Sequence, residues 1–239
     1  MNPAATLLVV TAHPDDESFG PGGTLARCAD LGARIVLLCA TRGEAGKAGD
    51  PPLCGPEDLP RVREEELRQA AAVLGIAEVR FLGYVDRQVE QADQEELTAR
   101  LAQAMEEWRP AAVVTMPPGG ISGHADHRAV CRATTRAFFL ARRAAGLPTA
   151  LYYWTLPADR IRAIRGQGPA HPLDAARTTV VDVSATLDRK IAAIRCHRTQ
   201  LAEMPILAAT PAAQRRFLGG EYFQRAATRE GMDLFRCLS

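Results

Sequence analysis

Four strand-like runs, each breaking into polar or glycine-rich sequence and each followed by a helix-patterned stretch, constrain this chain more than any other feature. They are Thr6–Ala12 (TLLVVTA), Arg34–Ala40 (RIVLLCA), Glu78–Leu82 (EVRFL) and Ala111–Met116 (AAVVTM). The first, second and fourth carry nearly continuous apolar residues, the pattern of strands buried on both faces. Between them the spacing predicts helices over Thr24–Leu31, stopped by Gly32, and over Pro60–Leu74, ended by Gly75. A third helix is expected from an Asp93/Glu96 capping box to Trp108, and a fourth over Asp126–Ala145. The chain therefore reads as α/β, a Rossmann-like doubly wound, mainly parallel sheet. Beyond residue 150 the alternation changes to strands at Ala150–Leu156 and Thr178–Val183, a helix over Leu187–Thr199 and a short helical tail. The expected organisation is one domain over 1–239: a Rossmann-like core over 1–149 and a carboxyl-terminal α+β extension over 150–239 that completes the cleft.

The 239 residues, 47% hydrophobic and 24% charged, are ample for a core without covalent staples. A formal net charge of +1 argues against nucleic acid or an anionic membrane as partner. The six cysteines are scattered with no C-x-x-C pair, which reads as reduced thiols. Met1–Val10 lacks a basic stretch and runs into the first strand, so no secretory signal is expected. No apolar segment reaches the roughly 18–20 residues that span a bilayer. The expected compartment is cytoplasmic, and a homo-oligomer stays open.

Two polar clusters carry the chemistry. His13-Pro14-Asp15-Asp16-Glu17 directly follows the first strand, and Gly123-His124-Ala125-Asp126-His127 lies just past the fourth. In an open α/β sheet ligands bind beyond the carboxyl ends of the strands; in the order 3-2-1-4, strands one and four are neighbours at the switch point. The two clusters would then face one another. Imidazole and carboxylate are usual zinc ligands, and His13 and Asp16 can converge within one turn. His124 and His127, three apart, can share a face. A single histidine after a strand is ordinarily structural, and Asp15-Asp16 or Asp126 alone could cap a helix. Three of five histidines in two matching positions favour a metal or acid/base site.

At these residues the chain resembles the PIG-L (LmbE-like) metal-dependent deacetylase family. Ala12-His13-Pro14-Asp15-Asp16-Glu17 matches its opening motif and Gly123–His127 its second, with Ala125 where the family commonly has proline. Thr41–Gly46, Arg63-Glu64-Glu65-Glu66 and Lys190…His197-Arg198-Thr199-Gln200 extend the resemblance to about residues 6–200. It implies one Zn2+ per chain held by His13, Asp16 and His127, although iron, cobalt or manganese suit the same donors. It implies Asp15 as general base, His124 as the donor that steadies an oxyanion, as imidazolium, and Asp126 as the residue orienting His124.

Beside the expected cleft, Ser18, Arg42, Glu44, Lys47 and Asp86 are candidate contacts for a small-molecule amino-sugar substrate. His197 could approach the site or lie on a helix surface, and His171 reads as a loop residue. The implied activity is zinc-dependent deacetylation of an N-acetylglucosamine-type sugar or glycoconjugate. Alternatives are an amidase removing a larger acyl group from an amino-sugar thiol conjugate, a non-catalytic binding homologue, and a metal-dependent phosphoesterase.

Overall fold

The computed structural model describes residues 5–145, 148 and 150–228. Strands β1 (Thr6–Thr11), β2 (Arg34–Cys39), β3 (Glu78–Phe81), β4 (Ala112–Thr115), β5 (Ala150–Thr155), β6 (Thr179–Asp182) and β7 (Gly220–Thr228) form one seven-stranded sheet in the order β3-β2-β1-β4-β5-β7-β6. The first five run parallel, and β7 pairs antiparallel with both β5 and β6. The order reverses at β1, so β1 and β4 adjoin at the switch point as the sequence pattern predicts.

Helices α1 (Asp16–Phe19), α2 (Gly22–Asp30), α3 (Leu59–Leu74), α4 (Gln94–Trp108), α5 (Ala125–Ala145), α6 (Ala158–Arg165), α7 (Leu187–Cys196) and α8 (Pro211–Leu218) connect and cover the strands. α2, α3 and α7 pack together as one group, α4 and α5 as another. Right-handed crossovers from β1 toward β3, and back from β3 toward β5, place the two groups on opposite faces. Leu8–Val10, Ile35–Leu37 and Ala112–Val114 are essentially inaccessible, which explains their unbroken apolar sequence. Asp93 caps α4 by accepting from the Glu95 and Glu96 N–H groups, while the Glu96 carboxylate faces Arg100 at 3.6 Å.

The carboxyl-terminal part differs from expectation in two places. The helix expected through Thr199 stops at Cys196, where His197 (φ −80°, ψ 61°) leaves helical geometry and buries its ring. The tail, expected to be helical only, also carries β7. Its polar residues Glu221, Gln224 and Arg225 break any continuous apolar run, and its place between β5 and β6 comes from long-range pairing.

Candidate metal and catalytic centre

The turn after β1 is held by its own backbone. Asp16 Oδ2 accepts from the N–H groups of Ala12 (3.1 Å) and His13 (2.9 Å), leaving Oδ1 facing outward, 3.4 Å from His127 Nε2. Asp15 has φ 121°, a strained value for a residue with a Cβ. Four bonds hold it there. Its N–H donates to Glu17 Oε2 (3.1 Å), its carbonyl accepts from Ser18 (3.0 Å) and Phe19 (2.8 Å), and its carboxylate accepts from Arg63 Nη2 (3.0 Å). Glu17 is in turn clamped by buried His197, whose Nε2 lies 2.7 Å from Glu17 Oε1.

The loop after β4 supplies the other half. Asp174 accepts from the Gly119 N–H at 2.7 Å, and a Cβ on residue 119 would lie 2.0 Å from that carboxylate, so only glycine fits. This seats Gly120, whose carbonyl is 3.0 Å from His127 Nδ1. A carbonyl can only accept, so Nδ1 carries the proton and His127 Nε2 presents a bare lone pair. His13 is set in the same way: its Nε2 lies 3.0 Å from Asp86 Oδ1 and 3.3 Å from Asp126 Oδ2. Those carboxylates fix the proton on Nε2 and turn the Nδ1 lone pair inward, 3.1 Å from His127 Nε2.

His13 Nδ1 and Asp16 Oδ1 thus both approach His127 Nε2, at 3.1 and 3.4 Å, while the Asp16 oxygen nearest to His13 Nδ1 is the backbone-held Oδ2 at 4.0 Å; a ring nitrogen of His124 also lies within 4.8 Å of one from each of the other two histidines. Lone pairs at this range repel unless a proton or a cation lies between them. Ligands about 2.0–2.1 Å from a tetrahedral ion stand roughly 3.3–3.4 Å apart, close to the two spacings at His127 Nε2. The charges agree. Burial disfavours an imidazolium at His13, but hydrogen bonds to Asp126 and Asp86 and the Asp16 charge outweigh it and push His13 up to about 10. Burial, opposed by the Asp16 charge, holds His127 down at about 4. One positive charge belongs at this point, and the donor set fits a divalent metal that displaces the proton.

Asp15 and His124 line the same cleft. Burial raises the Asp15 carboxyl to about 7 against the pull of Arg63, the range in which a carboxylate can accept and return a proton near neutral pH. The His124 ring centroid is 4.7 Å from that of His13 and 5.1 Å from that of His127. Its Nδ1 accepts from the Asp126 N–H at 3.2 Å, so the remaining proton sits on Nε2. Burial and the His13 charge depress its pKa, and with Nδ1 accepting, this geometry favours the neutral imidazole over the expected imidazolium. Asp126 also departs from its expected role. Its carboxylate accepts from the Arg87 (2.6 Å) and Val89 (3.2 Å) N–H groups and contacts His13, while its backbone, not its side chain, orients His124.

Of the expected substrate contacts, Lys47 and Asp86 line the cleft. Asp86 is engaged by His13 and held by Ala45 N–H, which leaves it orienting His13; Lys47 pairs with Glu203 at 2.6 Å. The other three stand behind the wall. Ser18 is wholly buried with its hydroxyl 2.5 Å from Glu17; Arg42 pairs with Glu64 at 2.6 Å; Glu44 accepts from the Asp86 N–H at 3.0 Å. His171, read as a loop residue, caps the short turn that carries Asp174.

Several supporting residues were given no role by the sequence. Arg63 is buried and bonds Pro14 and Gly43 carbonyls as well as Asp15; it sits in the Arg63–Glu66 segment that resembles the family, its only signal. Glu66 accepts from the Thr199 N–H (2.9 Å) and hydroxyl (2.6 Å), tying the segment after α7 to α3. Glu221 of β7 accepts from the first N–H groups of α2, at Gly23 and Thr24 (2.8 Å each), and pairs with buried Lys190, which also donates to the Gly20 carbonyl. An isolated glutamate in an extended tail gives no sequence signal.

Fold and site together define a doubly wound α/β protein with a His/Asp cluster able to hold a metal at its switch point. The profile of the GlcNAc-PI de-N-acetylase (PIG-L) family matches residues 8–138, spanning both motifs, and the chain belongs to that family. It is 40% identical over 258 aligned positions to the 1D-myo-inositol 2-acetamido-2-deoxy-alpha-D-glucopyranoside deacetylase of Kineococcus radiotolerans, covering 86% of this chain and 71% of that one. It is 32% identical over 200 positions to the probable N-acetyl-alpha-D-glucosaminyl L-malate deacetylase 2 of Bacillus subtilis (83% and 84% covered). Among solved structures, the conserved protein TT1542 of Thermus thermophilus superposes with TM-score 0.70 at 31% identity, over 96% of this chain and 98% of that one. Among the described residues no helix is long and apolar enough to cross a membrane.

Proposed function

We propose that this chain is a zinc-dependent N-deacetylase acting on an N-acetylglucosamine-type sugar or glycoconjugate, with the ion held by His13, Asp16 and His127. The observation that carries the reading is the approach of His13 Nδ1 and Asp16 Oδ1 to His127 Nε2, at 3.1 and 3.4 Å, beside the part-buried Asp15 carboxylate on its strained backbone. Its relatives named for removing acetyl groups from 2-acetamido sugars support the substrate class. Zinc in such a three-ligand setting supplies Lewis acidity, bringing water to a pKa of about 7.

The remaining work falls to the chain's own residues. Asp15 takes a proton from the attacking water as the oxygen bonds to the acetyl carbonyl carbon. His124 donates from Nε2 to the oxygen on which negative charge develops. As the carbon–nitrogen bond breaks, Asp15 returns its proton to the nitrogen, releasing acetate and the free amine. Arg63, Glu17 and His197 keep Asp15 in its strained position; Asp86 and Asp126 keep the His13 lone pair aimed inward. Residues 150–228 complete the cleft, contributing Trp154, Lys190 and Tyr222 to its wall.

The direct test is to load the purified protein with zinc and follow free amine across a panel of N-acetyl amino sugars and amino-sugar thiol conjugates. Amine release from N-acetyl sugars, lost on chelation and restored by zinc, is expected. Cleavage of the thiol conjugates alone would replace the deacetylase with the amidase.

A further inference from the structure

Five lysine and arginine side chains line the cleft: Lys47, Arg63, Arg87, Arg160 and Lys190. Four are committed. Lys47 pairs with Glu203, Arg63 with Asp15 and two carbonyls, and Lys190 with Glu221. Arg160 lies over the Phe217 ring and donates to the Arg216 carbonyl at 3.3 Å. Arg87 is exposed, and among the described residues its guanidinium has no hydrogen bond or ion pair. The backbone beneath it is unusual as well. Its φ is 65°, a conformation that glycine takes freely and a residue with a Cβ resists. The turn is pinned by main-chain donors: Arg87 and Val89 N–H to the Asp126 carboxylate at 2.6 and 3.2 Å, and Asp86 N–H to Glu44 at 3.0 Å. All three bonds would form equally well around a glycine. The arginine side chain therefore carries a backbone cost that no contact among the described residues offsets, the mark of a residue kept for a ligand.

We infer that Arg87 is a specificity residue for an anion, and that the substrate is an N-acetyl amino sugar bearing an oxyanion, phosphate or carboxylate, on its ring or at its glycosidic oxygen. The inference rests on the deacetylase reading and narrows its substrate. The guanidinium starts one residue from Asp86 and one hydrogen bond from Asp126, the two carboxylates that orient His13, so it stands beside the reactive end. Those carboxylates do not claim it, because His13 and backbone N–H groups already do. A planar guanidinium meets a phosphate or carboxylate through two parallel hydrogen bonds, a fit that a neutral hydroxyl does not give. A neutral sugar would leave Arg87 in water, with nothing gained for its backbone cost.

The test offers the zinc-loaded protein N-acetylglucosamine, its 1-phosphate, its 6-phosphate and N-acetylmuramic acid, and follows free amine. At least one of the anionic sugars should exceed the neutral one by about 10–100-fold in kcat/KM, with the gain in KM, and the one preferred locates the anion. Arg87→Gly suits the backbone, and Arg87→Asn, which also tolerates this φ, guards against an effect peculiar to glycine. In both variants the ratio of anionic to neutral kcat/KM should fall to near one. Equal kcat/KM for all four sugars, or a preference that both variants keep, overturns the inference. A binding measurement separates it from the deacetylase reading. Glucosamine 1-phosphate, glucosamine 6-phosphate and muramic acid have no amide to cut, and calorimetric titration should show at least one of them binding Arg87→Gly about 10-fold or more weakly than the wild-type protein. Equal binding of all three to both proteins sinks the inference even in an active deacetylase. A difference in a protein that releases no amine keeps the anion site and discards the reaction.

Discussion

The two ends of the cleft are built on different physics. The reactive end stands on the carboxyl ends of two adjacent parallel strands, where the β1 and β4 turns meet, and nearly every side chain there is fixed by hydrogen bonds. The far end stands on α6, α8 and β7, where apolar side chains line the wall and the Arg160 guanidinium lies over the Phe217 ring. Directional bonds hold lone pairs and protons to fractions of an ångström, which acid–base chemistry requires. Non-directional packing tolerates a range of shapes, which suits a wall that takes no part in proton transfer.

That contrast predicts a steep hierarchy of effects. His127→Ala should reduce bound zinc to a small fraction of one equivalent, by metal analysis after dialysis, and drop amine release to background. A variant that keeps one tightly held equivalent would remove His127 from the ligand set. Asp15→Asn should keep its zinc while kcat/KM falls by about 10²–10⁴-fold; unchanged turnover would mean that another group moves the proton.

His124→Ala is expected to cost about 10²–10³-fold, mostly in kcat, because its contact forms with the developing charge. Equal damage to KM would make it a ground-state contact instead.

Glu221→Ala reads the same comparison as stability. It strands Lys190 in the interior and uncaps α2, and should destabilise the fold by about 3–5 kcal/mol in denaturant titration. Ser18→Ala is the mildest: its hydroxyl faces Glu17, away from the cleft, so KM for the sugar should not move. A raised KM would return Ser18 to the substrate wall.

Much of the reactive end was legible before any coordinates. A buried apolar run that stops at His-Pro-Asp-Asp can only deliver those side chains beyond a strand end, and the strand–helix alternation fixes which ends adjoin. Periodicity and motif position report where a residue lies along its element, which is enough to bring His13, Asp15, Asp16, His124 and His127 to one cleft. They do not report which neighbour a side chain turns toward. Hence Ser18, Arg42 and Glu44, close in sequence to residues that line the cleft, bond to other groups behind it, and the Asp126 carboxylate turns to His13 instead of His124.

What the sequence by itself determined is therefore the sheet, its switch point and the residue types gathered there, because each follows from local pattern and chain direction. Only the tertiary structure decided the tautomers of His13 and His127, the clamp on Asp15, and the joining of β7 to α2 through Glu221. Those depend on contacts between residues up to 198 positions apart, and no local regularity encodes such distances.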